Sequence, residues 1–475
     1  MRLFALLLCI LIAPLFGTEP TEANLIKAKG QHGMTVRDAS IRRESLDLLQ
    51  KGIAANLRKV SAGGQDIDNV ARDLYARHRI IGVGEATHGT SEIFAMRTEL
   101  LKSLAKLGLR SLVIELNMAG AQYLDDYVCG RVQGSPSILE VMQNGRLYTV
   151  WQTSEVADMF GWIREFNTKH LNDPIRIYGI DGQAASANRL LSLLEARLPS
   201  FDVKGARARD KAFGSKITDF EYSLVASIVK APGPELDKLL ANRQQFVAEL
   251  RLAVAALTLV ERERKVAELE LRGLEQDCSL EREVFLAAAK IVHTSSEIVA
   301  MTGSDTMRDK YMAENLRFLD KNLVGGEARI MVWAHSGHLS RRPLIEMDIN
   351  CTHLPLGNYL ASWYGDKFHV LNITVGNGTV RAFDTFNIGP ESTRKALPVK
   401  IEKQTIEDLI SRIGVKGTVF FETSRLPMRD LSVDYLAIGG VLEPKDHAGL
   451  ARGTVADFDS FLFLPKGNAS TQLKP

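Results

Sequence analysis

The chain of 475 residues is 45% hydrophobic and 24% charged, a balance that excludes a disordered or fibrous protein and leaves room for two or three domains or one large α/β domain with an insertion. Its 59 basic and 57 acidic side chains leave a net charge of +2 with no long block of either sign, which argues against nucleic-acid binding and for a small ligand.

At the start, Arg2 precedes an apolar run over 3–16, and polar Thr18-Glu19-Pro20-Thr21-Glu22-Ala23 follows. The run falls short of the ~20 residues a bilayer span needs, so 1–23 reads as a secretory signal peptide cleaved near Ala23. The mature protein is then expected to be exported, periplasmic or extracellular, with no stable membrane span. Three cysteines remain beyond it, Cys129, Cys278 and Cys351, widely spaced and without C-x-x-C. That pattern argues against a disulfide scaffold or a cysteine zinc site and leaves open one disulfide with one free thiol.

Helical periodicity over 44–57 and 69–79 leads into a first βαβ unit: a strand over 79–85, a helix over 92–107 stopped by Gly108, and a strand over 111–115. A helix over 156–169 precedes a strand over 175–181, and a later strand over 328–335 ends on His335. Between 185 and 327 only long helical periods appear, punctuated at Ala231-Pro232-Gly233-Pro234. The charged run over 261–272 places Glu261 with Lys265 and Glu268 with Arg272 at i,i+4, as on a solvated face. Further on, 368–375 and 379–384 flank Gly376-Asn377-Gly378 as a hairpin signal, and 418–422 and 461–464 read as short strands. The expected fold is α/β, a mostly parallel central sheet flanked by helices, with a large all-helical insertion. Residues 24–184 and 328–475 would form the two parts of the core and 185–327 the insertion.

Glu85, Glu115, Asp181 and His335 each close an apolar strand. Carboxyl ends of neighbouring parallel strands share one sheet edge, about 4.8 Å apart, where ligands bind in open α/β sheets. One strand-end acid often just caps the next helix. Three such acids and a strand-end histidine, with His88 and His338, point to a site. In Gly84-Glu85-Ala86-Thr87-His88-Gly89 the imidazole has little bulk around it; a neighbouring carboxylate would orient such a ring to take a proton from water. His335-Ser336-Gly337-His338 admits two readings: zinc ligands together with His88 and a glutamate, or groups that polarise a carbonyl oxygen. Ser91 and Ser336 adjoin histidines, but neither sits in G-x-S-x-G. No phosphate-binding glycine loop is present, so no nucleotide cofactor is expected. Arg97 reads either as a surface ion pair or as a buried cation holding the acids.

The block Gly84-Glu85-Ala86-Thr87-His88-Gly89-Thr90 with Glu92 resembles the signature of the erythromycin esterase family. Four further blocks support the resemblance: Trp151-Gln152-Thr153 with Glu155 and Trp162-Ile163-Arg164 with Asn167; Tyr178-Gly179-Ile180-Asp181; Arg308-Asp309 with Met312-Ala313-Glu314-Asn315; and His335-Ser336-Gly337-His338. It extends from about residue 70 to about residue 465. The resemblance implies hydrolysis of a carboxylic ester or macrocyclic lactone by His88-activated water without a covalent acyl-enzyme. Glu85 and Glu115 would position water and imidazole, Arg97 would anchor the acids, and His335 and His338 would polarise the ester. Trp151, Asp181 and Arg308 would contact substrate, under a helical insertion acting as a lid. No cofactor is implied, and a divalent metal is not favoured. The alternatives are a metal-dependent hydrolase built on the same histidines and glutamates, and an exported ligand- or metal-binding protein without turnover.

Overall fold

The computed structural model describes residues 36–473 except 62, 63, 133, 135, 184, 227–233, 295, 296, 347–350, 385–392 and 443–448. Among them, nine strands form one sheet: β1 (Arg58–Lys59), β2 (Ile80–Glu85), β3 (Ser111–Asn117), β4 (Arg176–Asp181), β5 (Ile330–His335), β6 (Phe368–Ala382), β7 (Lys395–Val399), β8 (Val419–Glu422) and β9 (Ser460–Gly467). Their order is β1-β8-β9-β6-β2-β5-β3-β4, with β7 against the far end of β6. Neighbours from β9 through β4 run parallel, and antiparallel pairing is confined to β1 with β8, β8 with β9 and β6 with β7. The sheet is mixed but mostly parallel, as expected.

Fourteen described helices accompany it: α1 (Val36–Asn56), α2 (Gln65–Arg77), α3 (Ser91–Lys106), α4 (Met118–Val128), α5 (Ile138–Asn144), α6 (Ser154–Lys169), α7 (Asn188–Arg197), α8 (Val203–Ala226), α9 (Pro234–Ala255), α10 (Glu261–Thr294), α11 (Glu297–Leu319), α12 (Ser336–Leu339), α13 (Leu356–Tyr364) and α14 (Ile406–Ser411). The near-continuous apolar strands need cover on both faces. Ile81 and Val83 of β2 pack with α2 to α6 on one side, while Ile80 packs with α1, α11, α13 and α14 on the other. Helices α7 to α11 all fall between β4 and β5. Part of that region has its own apolar cluster, including Leu190, Leu194, Val247, Leu250 and Leu274, and α11 docks onto the sheet through Met312, Leu316 and Leu319. Gly108 ends α3 at φ +105°, a left-handed position where a Cβ would also lie 2.9 Å from the Tyr75 hydroxyl.

Two sequence expectations change. Gly376-Asn377-Gly378 makes no hairpin turn, because β6 runs straight through it and pairs with β9 on one side and β7 on the other. Glycine is required there by the approach of β9: a Cβ on Gly376 would lie 2.3 Å from the Pro465 carbonyl oxygen. Nor is the charged run of α10 wholly solvated. Glu270 is 2% exposed and pairs with Arg189 at 2.7 Å, and the pairs that form are i,i+3, Glu261 with Arg264 and Lys265 with Glu268, rather than i,i+4. The expected signal peptide and the break at Ala231-Pro232-Gly233 lie outside the described residues. Cys129 and Cys278 are free thiols, and burial pushes Cys278 up to about 12. Among the described residues no helix is long and apolar enough to cross a membrane.

Before β9, Asp457 is 2% exposed and accepts from the Thr454 hydroxyl at 2.9 Å and amide at 3.2 Å. Burial outweighs those bonds and raises its carboxyl to about 6. A carboxyl whose folded value lies above its unfolded value favours the fold while protonated. Its contribution is therefore complete below about pH 4 and lost as pH rises through about 6, a swing of roughly 3 kcal/mol. Asp457→Asn should gain stability relative to the parent by that order between about pH 4 and pH 7. Thermal melts of both proteins across that range check it, and a parallel pH dependence would refute it.

Candidate active site

Because β2, β5, β3 and β4 are successive parallel neighbours, their carboxyl ends bring Glu85, His335, Glu115 and Asp181 to one edge, with Glu85 directly opposite His335 in register. The chain leaving β2 turns through Ala86 to Thr90, held by Ala86 N–H on the Ile373 carbonyl at 3.0 Å and His88 N–H on the Ile438 carbonyl at 3.1 Å. Gly89 admits no side chain, since a Cβ there would lie 2.1 Å from the Arg381 carbonyl oxygen. His88 is thereby presented at the sheet edge with its ring 14% exposed.

Glu85 is 1% exposed and accepts four hydrogen bonds. Its Oε1 receives His88 Nδ1 at 2.6 Å and the Trp151 indole N–H at 2.7 Å; Oε2 receives Arg97 Nη1 at 2.5 Å and the Trp333 indole N–H at 2.9 Å. Arg97 is fully buried, with its guanidinium carbon 3.4 Å from the Trp333 ring centroid. It is a buried cation rather than a surface pair. With Nδ1 directed to Glu85, the other ring nitrogen of His88 is left for chemistry. The ring packs edge-on to Trp151 and 4.7 Å, centroid to centroid, from His335.

A second network begins on α11. Arg308 donates to Asp181 at 2.8 Å and Glu115 at 2.7 Å, and Tyr148 gives its hydroxyl proton to Asp181 at 2.6 Å. On α12, His338 Nδ1 meets Asp309 at 2.6 Å, while its Nε2 lies 3.3 Å from Glu115 and 3.0 Å from Arg308 Nη1. Burial disfavours charge on His338, but Asp309 and Glu115 overcome both burial and Arg308 and hold the ring well above the ordinary imidazole value. Burial likewise opposes charge on Glu115, yet His338, Arg308 and His88 keep its carboxyl well below the usual range. Burial opposes charge on Arg308 as well, but Asp181 and Glu115 outweigh it and lift the guanidinium well above its usual value.

His335 behaves oppositely. Burial first, then His88 and His338, push its ring well below the usual value, so it is neutral. Its Nδ1 accepts from Gly337 N–H at 3.3 Å, which puts the proton on Nε2. That atom is buried without a well-aligned hydrogen-bond partner among the described residues, its one backbone interaction being with Ile438. The site thus combines an oriented imidazole, a neutral imidazole with its proton on Nε2, and three cations, Arg97, Arg308 and His338.

Every sequence-predicted site residue lies in this cluster, in two groups: Glu85, His88, Arg97 and Trp151 in one, and Glu115, Asp181, Arg308 and His338 in the other, with His335 between. Trp151 is fully buried on Glu85. Ser336 is fully buried, its hydroxyl 2.5 Å from Asn372 Oδ1. Among the described residues no three His, Cys, Asp or Glu side chains converge as metal ligands. Sequence reasoning assigned no role to Trp333, Tyr148 or Asp309. Trp333 had a usable signal, sitting two positions before His335 and so on the same strand face.

The sequence model of the erythromycin esterase family matches residues 104–466. The chain belongs to the erythromycin esterase family. Membership makes it a hydrolase of the esterase type acting on a small molecule. Glu85, His88 and Arg97 precede the matched stretch, and the sheet brings them to it. Two relatives are each 24% identical over 327 residues: erythromycin esterase type II of Escherichia coli, covering 66% of this chain and 72% of that one, and the putative hydrolase YbfO of Bacillus subtilis, covering 67% and 69%. The fold is similar to that of a Bacillus cereus protein (TM-score 0.67, 19% identity, 90% of this chain and 99% of that one). It is also similar to a succinoglycan biosynthesis protein (TM-score 0.68, 16% identity, 90% and 99%) and to the erythromycin esterase EreC, solved as a mutant in its open conformation (TM-score 0.64, 14% identity, 88% and 100%).

Proposed function

We propose that the protein is exported and hydrolyses a carboxylic ester, a macrocyclic lactone being the first class to test, using water activated by His88. The observation that carries this reading is the 2.6 Å bond from His88 Nδ1 to a Glu85 carboxylate whose remaining bonds come from Arg97, Trp151 and Trp333. A carboxylate so fixed sets the tautomer of His88 and stabilises the imidazolium formed when Nε2 takes a proton from water.

The hydroxide attacks the ester carbon. Negative charge then develops on the carbonyl oxygen, where the N–H of His335 and the cations His338 and Arg308 would favour it. As the tetrahedral species collapses, His88 returns its proton to the leaving alkoxide, which opens a lactone to its hydroxy acid or releases the alcohol of an acyclic ester. No serine is needed, and Ser336 faces Asn372 instead. The helical region supplies Arg308 to the sheet edge, a place from which it would act as a lid.

The test is to incubate the purified protein with macrolides, other lactones and simple acyl esters, with and without chelator, and detect products by mass. The expected result is a ring-opened hydroxy acid heavier than its lactone by one water, or, from an acyclic ester, an acid and an alcohol whose masses sum to the ester plus one water, at a rate that chelation leaves unchanged. Loss on chelation with recovery on adding a divalent ion would replace this mechanism by a metal-dependent one. Tight binding across the panel without any product would make the protein a binder.

A further inference from the structure

Glu92 and Glu155 stand in the family-like sequence blocks, yet neither reaches the catalytic edge. Each lies in the first turn of a helix, α3 and α6 respectively. Both meet the same short segment, residues 468–473, which follows β9. The Asn468 carbonyl accepts Ser91 N–H at 2.8 Å, while Glu92 accepts Asn468 N–H at 2.6 Å. Three residues on, the pattern repeats: the Thr471 carbonyl accepts Ser154 N–H at 2.9 Å, and Glu155 accepts Thr471 N–H at 3.1 Å. Helix amino termini have backbone donors without intrahelical partners. Here one extended segment supplies acceptors to two of them, and two carboxylates return the bond.

The same segment grips the residues next to the catalytic rings. Ser470 N–H donates to the Gly89 carbonyl at 2.9 Å, one position after His88, and Leu473 N–H donates to the Gln152 carbonyl at 3.0 Å, one position after Trp151. Gln472 adds its side-chain amide to that carbonyl at 2.8 Å. His88 and Trp151 share Glu85 Oε1 although they belong to separate stretches of chain. Segment 468–473 is bonded to both stretches.

We infer that residues 468–473 form a strap, fastened by Glu92 and Glu155, that holds the His88 turn and the Trp151 turn at the distance at which both can bond one oxygen of Glu85. Glu92, Glu155, Asn468 and Thr471 are accordingly positioning residues. The inference rests on the reading of His88 as the base, and its test has a readout independent of turnover.

Two proteins are compared with the parent: one with the chain ended after Gly467, and the double variant Glu92→Ala with Glu155→Ala. The first readout is the exchange rate of the Trp151 indole proton by NMR, and the second is kcat and KM on the best ester found. In both proteins the indole proton should exchange at least about tenfold faster and kcat should fall about 10- to 100-fold with KM within about threefold, the cost expected of small misplacement at a catalytic group. A synthetic peptide of residues 466–473 should restore both readouts to the shortened chain. A double variant that melts cooperatively with unchanged indole exchange and unchanged kcat would overturn the strap, and it decides the matter should the shortened chain fail to fold. Faster exchange in a protein whose parent cleaves no ester would uphold the strap and defeat the esterase reading.

Discussion

His88→Asn is expected to lower kcat by about 10²- to 10⁴-fold, the usual contribution of a positioned general base, while the protein melts near the parent temperature. Asparagine keeps a side-chain donor for Glu85 but has no nitrogen that can take a proton from water. The imidazole lies at the sheet edge, 14% exposed, and asparagine retains a bond to Glu85 that keeps this carboxylate partnered. KM should change little, because the lost interaction acts on the transition state rather than on bound ester. Initial rates and a thermal melt check both halves. Activity within a few-fold of the parent would remove His88 from the mechanism and shift attention to the neutral His335.

Glu85→Gln is expected to damage the fold as well as the rate. The carboxylate gives each oxygen two donors, whereas an amide has one acceptor oxygen and an NH2 that must face donors at the other position. Arg97 is fully buried, with Nε and Nη2 unpartnered among the described residues, and it would lose its counter-charge. Removing one member of a buried ion pair costs about 3–5 kcal/mol. Burial already depresses Arg97 to about 10, so its charge depends on Glu85. Denaturant unfolding should therefore show a loss of that order together with a fall in kcat. A Glu85→Gln protein as stable as the parent would show that water or backbone groups support Arg97 instead.

The candidate site was readable because strand termini carry a local mark: an apolar run that stops on an acid or an imidazole, four times over. Parallel pairing then converts four separate positions in sequence into neighbours in space. Tyr148 and Asp309 carry no comparable mark, since an aromatic outside a strand and an acid in a helix are ordinary until their partners are known, and Trp333 is marked only by its spacing from His335. Gly376-Asn377-Gly378 shows the converse. Its local chemistry spells a turn, but the deciding fact is the β9 backbone pressed against it, contributed from about 90 residues further along. Glu270 was misread for the same reason, as Arg189 lies on another helix.

Arg308 and Asp309 are consecutive on α11, but their charges go to different places, the first to Asp181 and Glu115 and the second to His338. A stiff helix cannot withdraw one without the other. Lifting α11 would strip the sheet edge of a cation and, in the same movement, strip His338 of the acid that keeps it charged. Intermediate positions leave buried charges unmatched on both sides and are penalised accordingly. The seating of α11 therefore sets the electrostatics of the sheet edge and of His338 together, so that any change that shifts this helix alters both at once rather than one at a time.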